Sequence, residues 1–141
     1  MIGGHRCAVL AVLTTLLISG CAGASPESEG HLVVLSDFEI EFADTTIAAG
    51  EVVLDLLNQG PTVHELVIAR TEFAADALPL RADNITVDEA SLDNVAADEF
   101  VDLDATDRLT LELEPGSYVL YCNLEGHYAG GMHVALEVVA P

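Results

Sequence analysis

The run Tyr118-Val119-Leu120-Tyr121-Cys122-Asn123-Leu124-Glu125-Gly126-His127-Tyr128-Ala129-Gly130-Gly131-Met132 changes character at Cys122. Up to that residue it is aromatic, branched and apolar, the make-up of a buried strand. Beyond it the apolar run stops and Gly126, Gly130 and Gly131 enter, the make-up of a loop. Past the loop, Met132, Val134, Leu136 and Val138 fall on one face, and His133, Ala135 and Glu137 on the other. That is the period-two pattern of a second strand. The run is therefore a strand-to-strand connection, and it carries Cys122, His127 and Met132 at the spacing C-x4-H-x4-M.

The same alternation extends outward on both sides. Leu109, Leu111 and Leu113 alternate with Arg108, Thr110 and Glu112, and Glu114-Pro115-Gly116-Ser117 then reads as a turn. Upstream, Val52, Leu54 and Leu56 share a face until Asn58-Gln59-Gly60-Pro61 breaks the run. His64, Leu66 and Ile68 start the next strand on a common face. Residues 31–42 hold one or two further strands, and Thr45-Thr46-Ile47 a short one before the Ala49-Gly50 turn. Short strands separated by Gly and Pro turns predict an all-β fold, a Greek-key β-sandwich over residues 31–141. One segment breaks the rhythm. Residues 71–97 are acidic and alanine-rich and contain Leu78-Pro79, which predicts a long acidic excursion between strands with room for one short helix.

The chain of 141 residues has 24 acids against 4 basic residues, a formal net charge of −20. Such a chain does not hold nucleic acid by neutralising phosphates, which takes clustered Lys and Arg. At 51% apolar residues it is also too rich in core-forming side chains for a disordered protein. The N-terminus has a different character. Residues 7–18 are uncharged and mostly apolar, behind a short start carrying Arg6. This is shorter than the roughly 20 residues a membrane-spanning helix needs, but it suits the core of a secretory signal peptide. It ends in Leu17-Ile18-Ser19-Gly20-Cys21, which resembles the lipobox of bacterial lipoproteins. The resemblance implies a signal peptide over 1–20, a lipid on Cys21, and an exported protein anchored to the outer face of the cell membrane. Residues 21–30 are rich in small residues, Ser and Pro, and read as a flexible tether with an r.m.s. reach of about 15–18 Å. Cleavage would remove Arg6 and no acid, leaving 24 acids against three arginines. Cys7 would leave with the signal and Cys21 would be acylated, so Cys122 would remain as a lone thiol.

Cys122, His127, Met132 and the earlier His64 offer a thiolate, two imidazoles and a thioether. Soft sulfur donors with imidazole suit copper in both oxidation states, and three strong donors with a weak axial Met make the trigonal blue-copper geometry. Zinc and iron do not commonly take a thioether in that place. On residues 58–68 and 118–132 the chain resembles the cupredoxins, the plastocyanin and azurin group of small blue copper proteins, with a ligand loop most like that of sulfocyanin and rusticyanin. The resemblance implies one type 1 copper ion held by His64, Cys122, His127 and Met132. It also implies an electron-port patch of Pro61, His127, Tyr128, Ala129 and Gly130. One position departs from the pattern. Many plastocyanin-like proteins have Asn directly after the first histidine, where this chain has Glu65, so only the backbone N–H is left there to approach the sulfur of Cys122. His31 and His133 read as solvated, and Tyr118 and Tyr121 as packing residues.

Two functions fit these ligands. The first is a one-electron carrier that meets redox proteins, such as a basic cytochrome or an oxidase domain, as a monomer. The acidity would then steer basic partners, or else serve solubility, including at high salt. The alternative is a copper carrier or detoxification protein that delivers the metal. An enzyme in its own right is not expected: multicopper oxidases and nitrite reductases need further histidines, and beyond residue 20 only His31, His64, His127 and His133 remain.

Overall fold

Every alternating run becomes a strand in the computed structural model, which describes residues 29–141. The proposed signal peptide (1–20), Cys21 and most of the tether lie outside the described residues. Among the described residues the strands are β1 (His31–Ser36), β2 (Glu39–Phe42), β3 (Thr46–Ala48), β4 (Gly50–Asn58), β5 (His64–Arg70), β6 (Asp93–Val101), β7 (Thr106–Leu113), β8 (Gly116–Tyr121) and β9 (His133–Val139). They form two sheets, ordered β2-β1-β4-β7 and β3-β9-β8-β5-β6. Pairing is parallel for β1 with β4 and for β3 with β9, and antiparallel elsewhere. The chain changes sheet after β2, β3, β4, β6 and β7, the crossing pattern of a Greek-key sandwich.

The inward faces meet as expected from the alternation. Val33, Leu35, Leu54 and Leu56 of one sheet pack on Leu66, Ile68, Leu120 and Leu136 of the other. Each such side chain, fully buried, stabilises the fold by about 1.5–3 kcal/mol. β5 and β8 are covered on their outer faces too. There Val67, Ala69, Val119 and Tyr121 lie under Leu78 and Val87 of the excursion. Burial on both sides explains why Leu66 to Ala69 are apolar without alternation.

The excursion is shorter than the sequence predicts. It ends at residue 92, and Asp93–Val101 form β6, paired with β5 through two irregularities of register. Asp-Asn-Val-Ala-Ala-Asp-Glu-Phe-Val has no period of two, so the pattern hid a strand. β6 is an edge, held by backbone bonds to β5, and an acid-rich edge discourages pairing with another chain. The short helix is one 3-10 turn, Glu89–Ser91. Of the two histidines expected to be solvated, His31 stays at the surface in an exposed pair with Asp44 and only His133 departs from expectation. His31 Nδ1 lies 2.8 Å from Asp44 Oδ2. His133 is half-buried, its ring centroid 5.1 Å from that of Tyr128, and burial lowers its pKa. Tyr118 and Tyr121 are buried packing residues.

Candidate metal centre

The register that sets Val67 opposite Tyr121 brings the start of β5 and the end of β8 to one end of the sandwich. His64 opens β5 and Cys122 directly follows β8. The chain after Cys122 is folded into turns by its own backbone: the amide of His127 donates to Leu124 O at 2.9 Å, and that of Gly130 to Gly126 O at 2.9 Å. Met132 donates to His127 O at 3.0 Å and accepts from the Cys122 amide at 3.1 Å, so the loop closes on itself. This closure returns Met132 to the core, where it is fully buried in the same cluster as Cys122.

Three donor atoms converge. His64 Nδ1 lies 3.3 Å from His127 Nδ1, and Cys122 Sγ lies 3.4 Å from His127 Nδ1. One donor atom from each of His64, Cys122 and His127 falls within 4.8 Å of the others. Metal–nitrogen bonds of about 2.0–2.1 Å and metal–thiolate bonds of about 2.3 Å span donor separations of about 3.3–3.8 Å at tetrahedral to trigonal angles. The residues present therefore fit one small ion.

The surroundings set the charge of the donors. Burial lowers the pKa of His64, and the neighbouring His127 lowers it further, while Asp37 acts in the opposite direction. Burial also pushes the Cys122 thiol up, against the amides of Glu65 and Leu124, which favour the thiolate. The Glu65 amide donates to Cys122 Sγ at 3.4 Å, the backbone contact left open at the position where the side chain departs from the plastocyanin-like pattern.

Four residues the sequence reading did not single out fasten or border this site. Asn58, fully buried, donates from Nδ2 to Thr62 O (2.8 Å) and Val101 O (2.7 Å) and accepts from the Gly60 amide (2.9 Å). It thereby fastens residues 58–62, which lead into His64. Its signal was present: it continues the inward series Val52, Leu54, Leu56 as a polar residue. Asn123 exchanges bonds with the backbone of Val87 (2.6 and 3.2 Å) and donates to Glu89, tying the ligand loop to the excursion. Asp37 and Phe38 sit in the turn between β1 and β2, and no periodic signal marks them. Asp37 Oδ1 faces His64 Nε2 at 3.3 Å. The Phe38 ring lies against the His127 ring, centroids 5.4 Å apart.

The expected port patch is partly corrected. Pro61, Ala129 and Gly130 are exposed and His127 is half-buried. Tyr128 turns inward instead: it is 4% exposed, its hydroxyl donates to Ala75 O and it accepts from the Leu78 amide, both at 2.8 Å. Phe38, 51% exposed, supplies the aromatic surface beside His127. It explains Gly130, where a Cβ would lie 2.3 Å from Phe38 Cδ1.

Two facing sheets that gather two histidines, a cysteine and a methionine at one end give this chain the cupredoxin fold with a His-Cys-His-Met site, the donor set of one type 1 copper ion. Solved structures agree on the fold. The chain is similar to auracyanin from the photosynthetic bacterium Roseiflexus castenholzii (21% identity over 77% of this chain and 94% of that one, TM-score 0.58). It is similar also to rusticyanin from Thiobacillus ferrooxidans (18% identity, 80% and 79% covered, TM-score 0.55). A third likeness is to auracyanin A, a "blue" copper protein from Chloroflexus aurantiacus (18% identity, 77% and 99% covered, TM-score 0.53). No protein-family model and no curated protein matches the sequence.

Proposed function

We propose that the protein is a one-electron carrier whose copper ion would be held by His64, Cys122, His127 and Met132. The observation that carries this reading is the convergence of the two Nδ1 atoms and the Cys122 sulfur beside buried Met132. Bound copper would supply the change between Cu(II) and Cu(I). The chain's own part is to hold the donors still. His64 is fixed at the start of a strand, and the other three ligands sit on a loop bonded both to itself and to the excursion. Little rearrangement then accompanies each electron. The likeness to a "blue" copper protein supports this reading. Among the described residues one cluster of His, Cys, Asp or Glu donors has ligand spacing, and it is this one.

Half-buried His127, with Phe38, Pro61, Ala129 and Gly130 around it, is the port in this reading. Its partners are redox proteins with positive surfaces. Two of the three arginines beyond residue 20 are engaged by acids, Arg70 with Glu114 at 2.8 Å and Arg108 with Asp55 at 2.7 Å, which leaves a surface dominated by negative charge. A lipid on Cys21 and the tether would keep the domain at the outer face of the cell membrane. The test pairs two measurements. Electron transfer to a basic cytochrome is expected to be fast and to slow steeply with salt, while the reduced protein keeps its copper against a Cu(I) chelator. Slow transfer with ready loss of copper would instead mark a metal-delivery protein.

A further inference from the structure

His64 Nε2 is fully buried and makes no hydrogen bond in the arrangement described. An ion bound at Nδ1 leaves the ring proton on Nε2, because each nitrogen takes one role in a neutral imidazole. A buried N–H without an acceptor is destabilising, so this atom calls for one. The group facing this atom is the Asp37 carboxylate, whose Oδ1 stands 3.3 Å away. That carboxylate is itself aimed, since Thr62 Oγ1 donates to Oδ1 at 2.7 Å. Gly60 leaves the corridor open: a Cβ there would lie 2.6 Å from His64 Nε2 and 3.0 Å from the Asp37 amide nitrogen.

We propose that Asp37 is a positioning residue for the metal centre, its carboxylate accepting a hydrogen bond from the Nε2–H of His64 in a carboxylate–histidine–metal arrangement. The inference rests on the copper reading above. A carboxylate in this place fixes the ring and raises the basicity of the coordinating nitrogen. A more basic imidazole and a nearby negative charge both favour Cu(II) over Cu(I), so Asp37 holds the reduction potential down. The residue acts through His64 and does not itself bind the ion.

The test uses the full chain with Asp37→Asn and Asp37→Ser, both turn-compatible, and Glu39→Gln as a control that removes an exposed charge two residues away. Midpoint potential and Cu(II) and Cu(I) affinities are measured for each. In the diamagnetic Cu(I) form, the His64 Nε2 proton is followed by NMR in the unaltered protein as well. The expected result is a loss of about 10–100-fold in Cu(II) affinity for the Asp37 variants, with a smaller loss for Cu(I). The potential then rises by about 59 mV for each tenfold difference between the two. Glu39→Gln shifts it less. The Nε2 proton exchanges slowly in the unaltered protein and moves upfield in Asp37→Asn. Unchanged potentials in both Asp37 variants, a Glu39→Gln shift as large as theirs, or a freely exchanging Nε2 proton in the unaltered protein would overturn the proposal. A blue unaltered protein with any of those outcomes sinks the role of Asp37 alone, whereas a colourless unaltered protein sinks the copper reading beneath it.

Discussion

His64 and His127 present the same nitrogen to the same point from opposite surroundings. His64 opens a strand, is wholly buried, and is approached through a segment that Asn58 fastens from inside the sandwich. His127 rides on a loop, is half-buried, and leans on an exposed aromatic ring. The difference shows how one site meets two demands. The buried side sets geometry, because a packed interior admits few alternative positions. The exposed side brings the ion within reach of a partner, and it is kept in place by bonds to the excursion, outside the central core.

The contrast breaks first on the His64 side. Asn58→Ala leaves the Gly60 amide and the Thr62 and Val101 carbonyls without their partner. With the buried Gly60 and Val101 groups worth about 1–3 kcal/mol each and the part-buried Thr62 carbonyl less, the expected loss is about 3 kcal/mol. Chemical denaturation of the copper-free protein measures it, and a loss under about 1 kcal/mol would show that this approach segment is not held as described. On the His127 side, Tyr128→Phe removes one hydroxyl that links Ala75 and Leu78 to the ligand loop. The expected cost is smaller, about 1–2 kcal/mol, with hydrogen exchange speeding up at the Leu78 amide. Exchange unchanged there would mean that the excursion is not fastened through Tyr128. The smallest effect on stability is expected for Phe38→Ala. The residue is exposed and holds φ at +66°, a conformation that L residues other than Asn and Asp seldom adopt. Stability and colour should stay within ordinary surface-mutation limits, about 0.5 kcal/mol, while electron exchange with a basic cytochrome slows. An unchanged rate would remove Phe38 from the docking surface.

Much of this arrangement was legible in the sequence, and the parts that were not share a reason. The strands that alternate, such as the one through Leu109, Leu111 and Leu113, announce themselves, because burying one face forces a period of two. The ligands announce themselves by chemistry: a thiol, two imidazoles and a thioether in order are rare by chance. β6 was hidden because an acid-rich edge strand held by backbone bonds needs no alternation. Tyr128 belongs by sequence to the same exposed loop as His127, yet a loop has no fixed period to say which way the next side chain points, and this one turns inward. Asp37 and Phe38 reach the site only because β1 pairs with β4 and carries its turn to the ligand end. Nothing local in Ser36-Asp37-Phe38-Glu39 records that pairing. Asn58 was readable, as a polar residue at an inward position, a pattern that asks for buried partners.

Whether His64, Cys122, His127 and Met132 together hold one copper ion as a type 1 centre is decided by the absorption spectrum of the protein during a Cu(II) titration. The expected result is an intense blue colour that saturates at one equivalent, bleaches on reduction, and is absent from Cys122→Ser. A colourless copper complex of the unaltered protein, or a Cys122→Ser variant that still turns blue, would contradict it.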